Sequence, residues 1–336
     1  MAAGFDCLAN CCGHSASCSR VCRQKPREFT QRVREIGGFD LSSTPRAPIL
    51  AAPSLPQVVP LLFHGNRRER LYGGAAVALS LHRLLHRQTG VPKFATAAAL
   101  RAEYRLSAET IIILTGTDQD PPLERWWKYG TERASTIAAL LSLDVSLVTT
   151  PNYSLFANAP RWDDLHSMKR IALINSEFLG CGLPAALHVN ARAERDAERW
   201  VEFVADRSEI THLAYEFTTG SGRMHRSALH AKWLTEIARA AGRPLTLIVR
   251  GGFDILPILT EAFASVVIIE SSAFMKTMKR QQAVITGNVG LKWEHKPTSA
   301  DAVLDDLFEH NVRLCSESLR RLAAPTVVGR KGVAAA

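Results

Sequence analysis

Five cysteines near the start of the chain form its densest group of side chains that could do chemistry. They are Cys7, Cys11, Cys12, Cys18 and Cys22. Thiolates gathered in a reducing compartment commonly hold zinc or an iron–sulfur cluster, and either centre needs four ligands. We therefore predict one of these two cofactors here, with His14 as a further candidate ligand and with Cys11 or Cys12 outside the set. The alternative is a cysteine-rich leader that holds no metal.

A second group of candidates stands where apolar runs of the chain end. They are His64, Asp118, Glu216 and Glu270. Carboxylates that converge from separate strands could hold a divalent metal such as Mg²⁺, or act as general acid and base. His64 could be a general base, a metal ligand or a structural residue. The alternative for each carboxylate is a solvated loop position or an ion pair with Arg192 or Arg250.

Polar and glycine residues in the same loops could bind a substrate. They are Asn152, Tyr153, Asn190, Gly220, Ser221, Gly222, Arg223, Arg250 and Gly251. Small residues that open a helix leave backbone N–H groups free to meet an anion, and an arginine beside them adds positive charge. We expect an anionic ligand at these loops, although a glycine after a strand is more often only a turn.

The elements that must position these residues follow a regular alternation of short apolar runs and longer helical patterns. We identify eight runs: Val58–Phe63, Pro92–Thr96, Thr110–Thr115, Val145–Thr149, Ala185–Val189, Thr211–Phe217, Leu245–Val249 and Ser265–Ile269. Continuous apolar runs of this length are typical of strands buried on both faces, as in a parallel sheet. With a helical segment after each run, the pattern predicts a (βα)8 barrel, whose site lies at the carboxyl ends of the strands. A doubly wound open sheet is the alternative.

Domain organisation follows from this pattern. Residues 1–57 are predicted to be a cysteine-rich metal-binding segment with a proline-rich connector, residues 58–323 the barrel, and residues 324–336 a loose tail. The first residues lack the basic and apolar regions of a secretory signal, and no stretch reaches the roughly 20 apolar residues of a membrane span. We expect a cytoplasmic protein without a membrane partner, and the oligomeric state is left open.

Three segments resemble an uncharacterised family found in bacteria and their phages. They are the cysteine-rich start running into residues 33–39 (Val-Arg-Glu-Ile-Gly-Gly-Phe), residues 151–156 (Pro-Asn-Tyr-Ser-Leu-Phe) and residues 216–222 (Glu-Phe-Thr-Thr-Gly-Ser-Gly). The resemblance covers roughly residues 1–275. It implies no catalytic residue, because no reaction is assigned to that family, and its occurrence in phages favours work on nucleic acid.

The charge balance points to anionic partners and leaves three hypotheses for the function. The formal net charge is +9, which favours nucleic acid or phosphorylated ligands. The first hypothesis is an enzyme that acts on a phosphate-bearing or nucleic-acid substrate at the barrel mouth. The second is a non-catalytic protein that binds nucleic acid or another partner. The third is an iron–sulfur redox or radical enzyme.

Overall fold

A computed structural model describes residues 26–156, 159–218, 226–287 and 289–324. Within these ranges, eight parallel strands close into a barrel in which neighbours along the chain are neighbours in the sheet. The strands are β1 (Val58–Leu62), β2 (Ala76–Ser80), β3 (Ile111–Thr115), β4 (Val145–Thr149), β5 (Ala185–His188), β6 (His212–Glu216), β7 (Thr246–Arg250) and β8 (Ser265–Glu270). The pairing of β1 with β8 closes the sheet. The prediction of a (βα)8-type barrel is thus confirmed, and the open-sheet alternative is wrong.

Helices cover the outside of this barrel. They are α1 (Pro26–Ile36), α2 (Leu81–Leu84), α3 (Ala97–Tyr104), α4 (Asp120–Lys128), α5 (Arg133–Ser142), α6 (Arg161–Gly180), α7 (Glu194–Ala205), α8 (Ser227–Ala241), α9 (Leu256–Ala262), α10 (Ser272–Met278) and α11 (Asp305–Ala323). Short 3-10 helices lie at Leu41–Ser43, Gly130–Glu132 and Phe253–Ile255. No helix in these ranges combines the length and the apolar character that crossing a membrane requires.

The second strand lies elsewhere than the sequence pattern predicts. The strand is Ala76–Ser80, and all five of its residues are buried. Pro92, in the predicted run, makes only an isolated antiparallel bridge with Leu85. The expectation that a helix follows every strand is also wrong, because the described chain passes from β1 to β2 without one. In that connection Arg68 is buried between Asp305, 3.6 Å away, and the ring of Phe308.

The barrel interior is packed by small and branched side chains in alternation. Ala78 of β2 lies beside Ile113 of β3, and Ala214 of β6 lies beside Ile248 of β7. These four belong to one buried cluster at the barrel axis. Since side chains alternate between the two faces of a strand, the next inward position on each strand lies at the carboxyl end of the barrel. The register therefore determines which residues face the mouth.

The described chain before β1 contacts α6 through helix α1 and through residues 40–44. His166 of α6 is fully buried; its Nε2 donates to Glu35, 3.0 Å away, and its Nδ1 accepts from Arg32. Burial, with Arg170 and Arg32 nearby, holds the pKa of His166 far below its usual value, which keeps the ring neutral. Further along, the buried Lys169 donates to three oxygen atoms of residues 40–44. Helix α1 and the start of the connector therefore belong to the folded body.

A hairpin that the sequence pattern does not predict follows the barrel. Strands β9 (Gln281–Thr286) and β10 (Gly290–His295) pair antiparallel and form a separate two-stranded sheet. The hairpin packs on α10 and α11 on the outer side of the barrel. From their position after the eighth strand, residues 292–296 are expected to form a lid across the mouth, and β10 contains residues 292–295 of this segment. Its contacts with these helices place it on the flank instead.

Candidate functional site

A polar set of inward-facing side chains lies at the carboxyl ends of the strands. We call it the mouth layer, and it consists of Ser80, Thr115, Thr149, His188, Glu216 and Arg250. Each residue is two positions after an inward-facing residue of its strand, and five of the six are buried. Arg250 is the more accessible member, with 22% of its side chain exposed. The barrel core thus changes from apolar to polar at the end where barrel enzymes carry their sites.

His188, at the end of β5, is held in one tautomer. Its Nδ1 lies within hydrogen-bond distance of the carbonyl oxygen of Thr150, which can only accept, so Nδ1 carries the proton. Its Nε2 therefore presents a lone pair, and the hydroxyl of Thr117 lies 3.4 Å from it. Burial and, to a smaller extent, the charge of Arg250 lower the pKa of His188 to about 4, although the hydrogen bond with Thr150 raises it. The ring is a neutral base at neutral pH.

Glu216 and Arg250 stand side by side on β6 and β7. Their Cα atoms are register partners, and Nη1 of Arg250 lies 3.2 Å from Oε2 of Glu216. The other carboxylate oxygen of Glu216 accepts from the backbone N–H and the hydroxyl of Thr218. Only 2% of the Glu216 side chain is exposed. Glu216 therefore orients Arg250, and among the described residues no other side chain pairs with this guanidinium, so its remaining N–H groups could contact a ligand at the mouth.

Glu270 does not face the mouth. Its carboxylate accepts from the backbone N–H groups of Ser272 and Ala273 at the start of α10. Burial raises its pKa, and those hydrogen bonds oppose the rise. Burial and the nearby charge of Glu270 raise the pKa of the Cys315 thiol in α11, so the carboxylate lies on the side of the strand that faces the helices. The predicted convergence of three carboxylates is therefore absent from the described part of the chain.

The remaining predicted catalytic residues lie at the rim. Asp118 is exposed, and its Oδ1 accepts from the N–H of Gln119. His64 packs its ring against Phe274, with ring centroids 4.9 Å apart, and its buried Nδ1 has no hydrogen-bond partner among the described residues. Burial and Arg83 lower the pKa of His64. Neither residue contacts the mouth layer through a hydrogen bond.

The predicted substrate-binding residues after β4 and β5 have structural partners. Tyr153 is fully buried, with the guanidinium of Arg170 3.9 Å from its ring centroid, so it faces the helices. Asn190 donates to the carbonyl of Tyr153, 3.0 Å away, and ties the two loops together. Asn152 is half-buried, and its Oδ1 has no described partner. Of these three residues, two keep a polar atom without a described partner: Oδ1 of Asn152 and the buried hydroxyl of Tyr153.

Two further positive charges bear on this end of the barrel. The guanidinium of Arg83 lies 4.7 Å from the ring centroid of Phe63, which follows β1. Arg192 pairs with the buried Asp164, 2.6 Å away, and not with a carboxylate of the mouth. Among the described residues, Arg250 and Arg83 are cations that a ligand entering the mouth could meet, since both keep part of their side chain accessible.

Gly251 has a packing role in the loop after β7. Its φ is +72°, and a Cβ there would lie 2.7 Å from Cγ2 of Thr218. Only glycine permits this backbone conformation together with this close approach. Gly220, Ser221, Gly222 and Arg223 lie outside the described residues, as do Cys7, Cys11, Cys12, Cys18 and Cys22.

No metal centre is visible in the described ranges. Among those residues, no three His, Cys, Asp or Glu side chains come together as a metal site would require. The two described cysteines, Cys181 and Cys315, are isolated from one another as free thiols. The predicted zinc or iron–sulfur centre at the first 22 residues stays a prediction.

Comparison with known proteins adds no assignment. No protein-family model matches the chain, and no curated protein matches it in sequence. The resemblance to the bacterial and phage family therefore stays a prediction, and the function must be argued from the site.

His188 is a site residue that sequence reasoning missed. The sequence analysis took candidates from the loops after each run, whereas His188 lies within a strand. Side chains alternate between the two faces of a strand, so Ala186 and His188 point to the same side. If Ala186 faces the barrel axis, His188 at the end of the strand faces the mouth, and this alternation could have identified it from the sequence. A histidine in an otherwise apolar run, followed by a loop, could have been chosen on that basis.

Proposed function

We propose that this protein is an enzyme that acts on a phosphate-bearing substrate at the mouth of its barrel. The observation that supports the proposal most strongly is the state of His188. A neutral imidazole is fixed by Thr150, and its free Nε2 faces the hydroxyl of Thr117. A base oriented by a third group, within reach of a hydroxyl, is the arrangement used for proton transfer in catalysis.

The proposed step is a proton transfer to Nε2 of His188. The proton comes from Thr117, or from a water or substrate hydroxyl that takes its place. Distances of this kind are often long before a substrate binds, so 3.4 Å is compatible with the role. The carbonyl of Thr150 keeps the Nδ1 proton in place and stabilises the imidazolium that forms.

Arg250 gives the site its preference for an anion. Its charge lowers the pKa of His188 in the free protein. A phosphate group bound to Arg250 would offset that charge and place a negative charge near the ring, which raises the pKa of His188. Substrate binding would therefore strengthen the base at the moment when it is needed. Glu216 takes the role of positioning Arg250.

The substrate class is a phosphate-bearing small molecule or the end of a nucleic acid. The net charge of +9 favours both. A non-catalytic binding protein would use the same anion site. It would differ from the proposed enzyme in that His188 would transfer no proton. The iron–sulfur hypothesis depends on the cysteine segment and is tested by its metal content.

The experiment compares three variants for binding and for turnover. Arg250→Met removes the proposed anion contact, His188→Asn removes the base, and Arg87→Met changes an exposed arginine as the matched control. The probes are inorganic phosphate, a nucleoside monophosphate and a short single-stranded oligonucleotide, measured by calorimetry and by a screen for product release.

We expect Arg250→Met to weaken binding of at least one probe about tenfold, since a charge-assisted contact contributes about 1.5–3 kcal/mol. His188→Asn should keep that binding and lose turnover, whereas Arg87→Met should keep both. Equal binding by Arg250→Met and the control would contradict the anion site. Binding without any turnover in the unmodified protein would favour the non-catalytic binder.

A further inference from the structure

Described residues cover one edge of the hairpin on the flank of the barrel and leave its other edge uncovered. Lys296 donates its backbone N–H to the carbonyl of Arg280, which makes these two residues a hydrogen-bonded pair. Pairs alternate along an antiparallel ladder, so Glu294 with Gln282 and Lys292 with Val284 are hydrogen-bonded pairs as well. The backbone groups of the odd-numbered residues in both strands therefore point away from the hairpin.

Helix α11 closes the outer edge of β9. The N–H of Ala283 donates to Oδ1 of Asn311, 2.8 Å away, and Nδ2 of Asn311 donates to the carbonyl of Gln281. His310 contacts the carbonyl of Ala283 through Nε2, at 2.9 Å. Asn311 is fully buried, and its amide takes the place of a neighbouring strand.

The outer edge of β10 has no such cover among the described residues. Its outward N–H and C=O groups belong to Leu291, Trp293 and His295. The even-numbered side chains Lys292 and Glu294 are exposed, at 65% and 51%. An accessible edge strand of this length is a template for pairing with another strand.

We propose that β10 pairs antiparallel with β10 of a second copy of this chain, centred on Trp293. In that register, residue numbers of opposed positions sum to 586, so Trp293 faces Trp293, and Lys292 of each copy faces Glu294 of the other. Odd positions face odd positions, and the outward backbone groups of both strands meet as hydrogen-bonded pairs. The result is a four-stranded sheet with a two-fold axis at Trp293.

Charge decides between this register and its neighbours. A shift by two residues in one direction places Lys292 opposite Lys292, and a shift in the other direction places Glu294 opposite Glu294. Like charges directly opposite each other are destabilising, and opposite charges are favourable. A shift by one residue is excluded, because it would set the outward backbone groups of one copy against the inward groups of the other.

The side chains of the two faces are compatible with this pairing. Lys292 and Glu294 lie on the same face and contact each other within the strand at 3.3 Å, so each can turn to the opposed copy without leaving the solvent. Trp293 lies on the other face, with Nζ of Lys276 5.5 Å from its ring centroid. The pairing therefore requires no buried charge.

A six-residue edge buries less surface than the roughly 1,200 Å² of a stable interface. We therefore expect association in the micromolar range that depends on concentration. The competing occupants of the edge are residues 325–336 of this chain and a strand of a different protein, and the experiment distinguishes both from a second copy.

The experiment uses charge reversal in the full-length protein and sedimentation equilibrium. Lys292→Glu gives four opposed carboxylates across the axis, and Glu294→Lys gives four opposed ammonium groups. Each single variant should raise the dissociation constant of the dimer at least about tenfold. The double variant Lys292→Glu/Glu294→Lys restores opposite charges in each pair and should return the dissociation constant to that of the unmodified protein.

A mixture of the two single variants is the decisive sample. With one of them labelled with ¹⁵N, native mass spectrometry should show mixed dimers and few homodimers, because each variant complements the other. Trp293→Pro removes an outward N–H without removing a bond of the hairpin, and it should abolish the dimer. A monomer at every concentration up to roughly 100 µM, or single variants that dimerise as well as the unmodified protein, would overturn the proposal.

Discussion

Nδ1 of His188 donates to the carbonyl oxygen of Thr150, the first residue after the neighbouring strand β4. The N–H of His188 donates to the hydroxyl of the same Thr150, 2.9 Å away. One residue thus fixes both the backbone and the ring of His188. These hydrogen bonds orient the ring with Nε2 towards Thr117 before any ligand is bound.

His188 should give the protein a measurable loss of stability in mild acid. Burial lowers its pKa from 6.5 to about 4, so the unfolded chain binds the proton first as the pH falls. The stabilising contribution is complete above about pH 6.5 and is lost between that value and about pH 4. The loss amounts to about 3 kcal/mol. Urea titrations at several pH values measure it.

His188→Asn should flatten that pH dependence, and His86→Asn, at an exposed position, should leave it unchanged. Equal slopes for His188→Asn and the unmodified protein would contradict a neutral, buried His188.

Glu270 should matter for stability and not for binding at the mouth. Its carboxylate accepts two backbone N–H groups at the start of α10. Glu270→Ala leaves those donors without a partner, and we expect the free energy of unfolding to fall by about 2 kcal/mol. Phosphate binding, measured by calorimetry below the melting temperature, should be unchanged. Weaker phosphate binding with an unchanged free energy of unfolding would contradict this and would indicate that Glu270 belongs to the binding site.

Lys169 should anchor the connector to α6. Its ammonium group donates to the carbonyl of Asp40 at 2.6 Å and to the hydroxyls of Ser43 and Thr44. Lys169→Met keeps the volume and removes these donors, so we expect a loss of about 3 kcal/mol in denaturant titrations. Lys128→Met, at an exposed position, is the control and should cost less than about 0.5 kcal/mol. A loss no larger than that of the control would contradict the anchor.

The cysteine segment should bind zinc or an iron–sulfur cluster. Protein purified without oxygen should carry either about one zinc ion or iron with sulfide, measured by elemental analysis and absorption. Replacing Cys18 and Cys22 with serine should remove the metal, whereas Cys181→Ser should retain it. A metal-free unmodified protein, or a metal content that survives the double replacement, would contradict the prediction.

The sequence was sufficient for the architecture because buried parallel strands have a continuous apolar character. The sequence pattern did not predict the position of β2, because Ala76–Ser80 is rich in alanine and is followed directly by the helix Leu81–Leu84. Alanine favours helices when a residue is judged alone. In the barrel, the small residues Ala76 and Ala78 fit beside the larger Ile111 and Ile113. This fit depends on the neighbouring strand and cannot be read from the sequence of β2 alone.

The candidate site was predicted less well, because the facing of a side chain depends on strand register. Glu216 and Glu270 both end a strand, yet Glu216 faces the axis and Glu270 the helices. Glu216 is two residues after the inward-facing Ala214, whereas Glu270 is one residue after the inward-facing Ile269. Which residues of a strand face inward depends on how the strands pair. The location of the site at the carboxyl ends was predictable from the fold class alone, and the role of Arg250 as a partner of Glu216 was one of the stated alternatives.

The central claim is that Nε2 of His188 is a free base beside an anion site. Nitrogen NMR of protein labelled at its histidines measures it directly, with inorganic phosphate and then a nucleoside monophosphate as added ligands. We predict a neutral His188 protonated at Nδ1 in the free protein, and a ligand-dependent shift of Nε2 that Arg250→Met abolishes. A His188 protonated at Nε2, or a resonance that no phosphate-bearing ligand moves, would contradict the account.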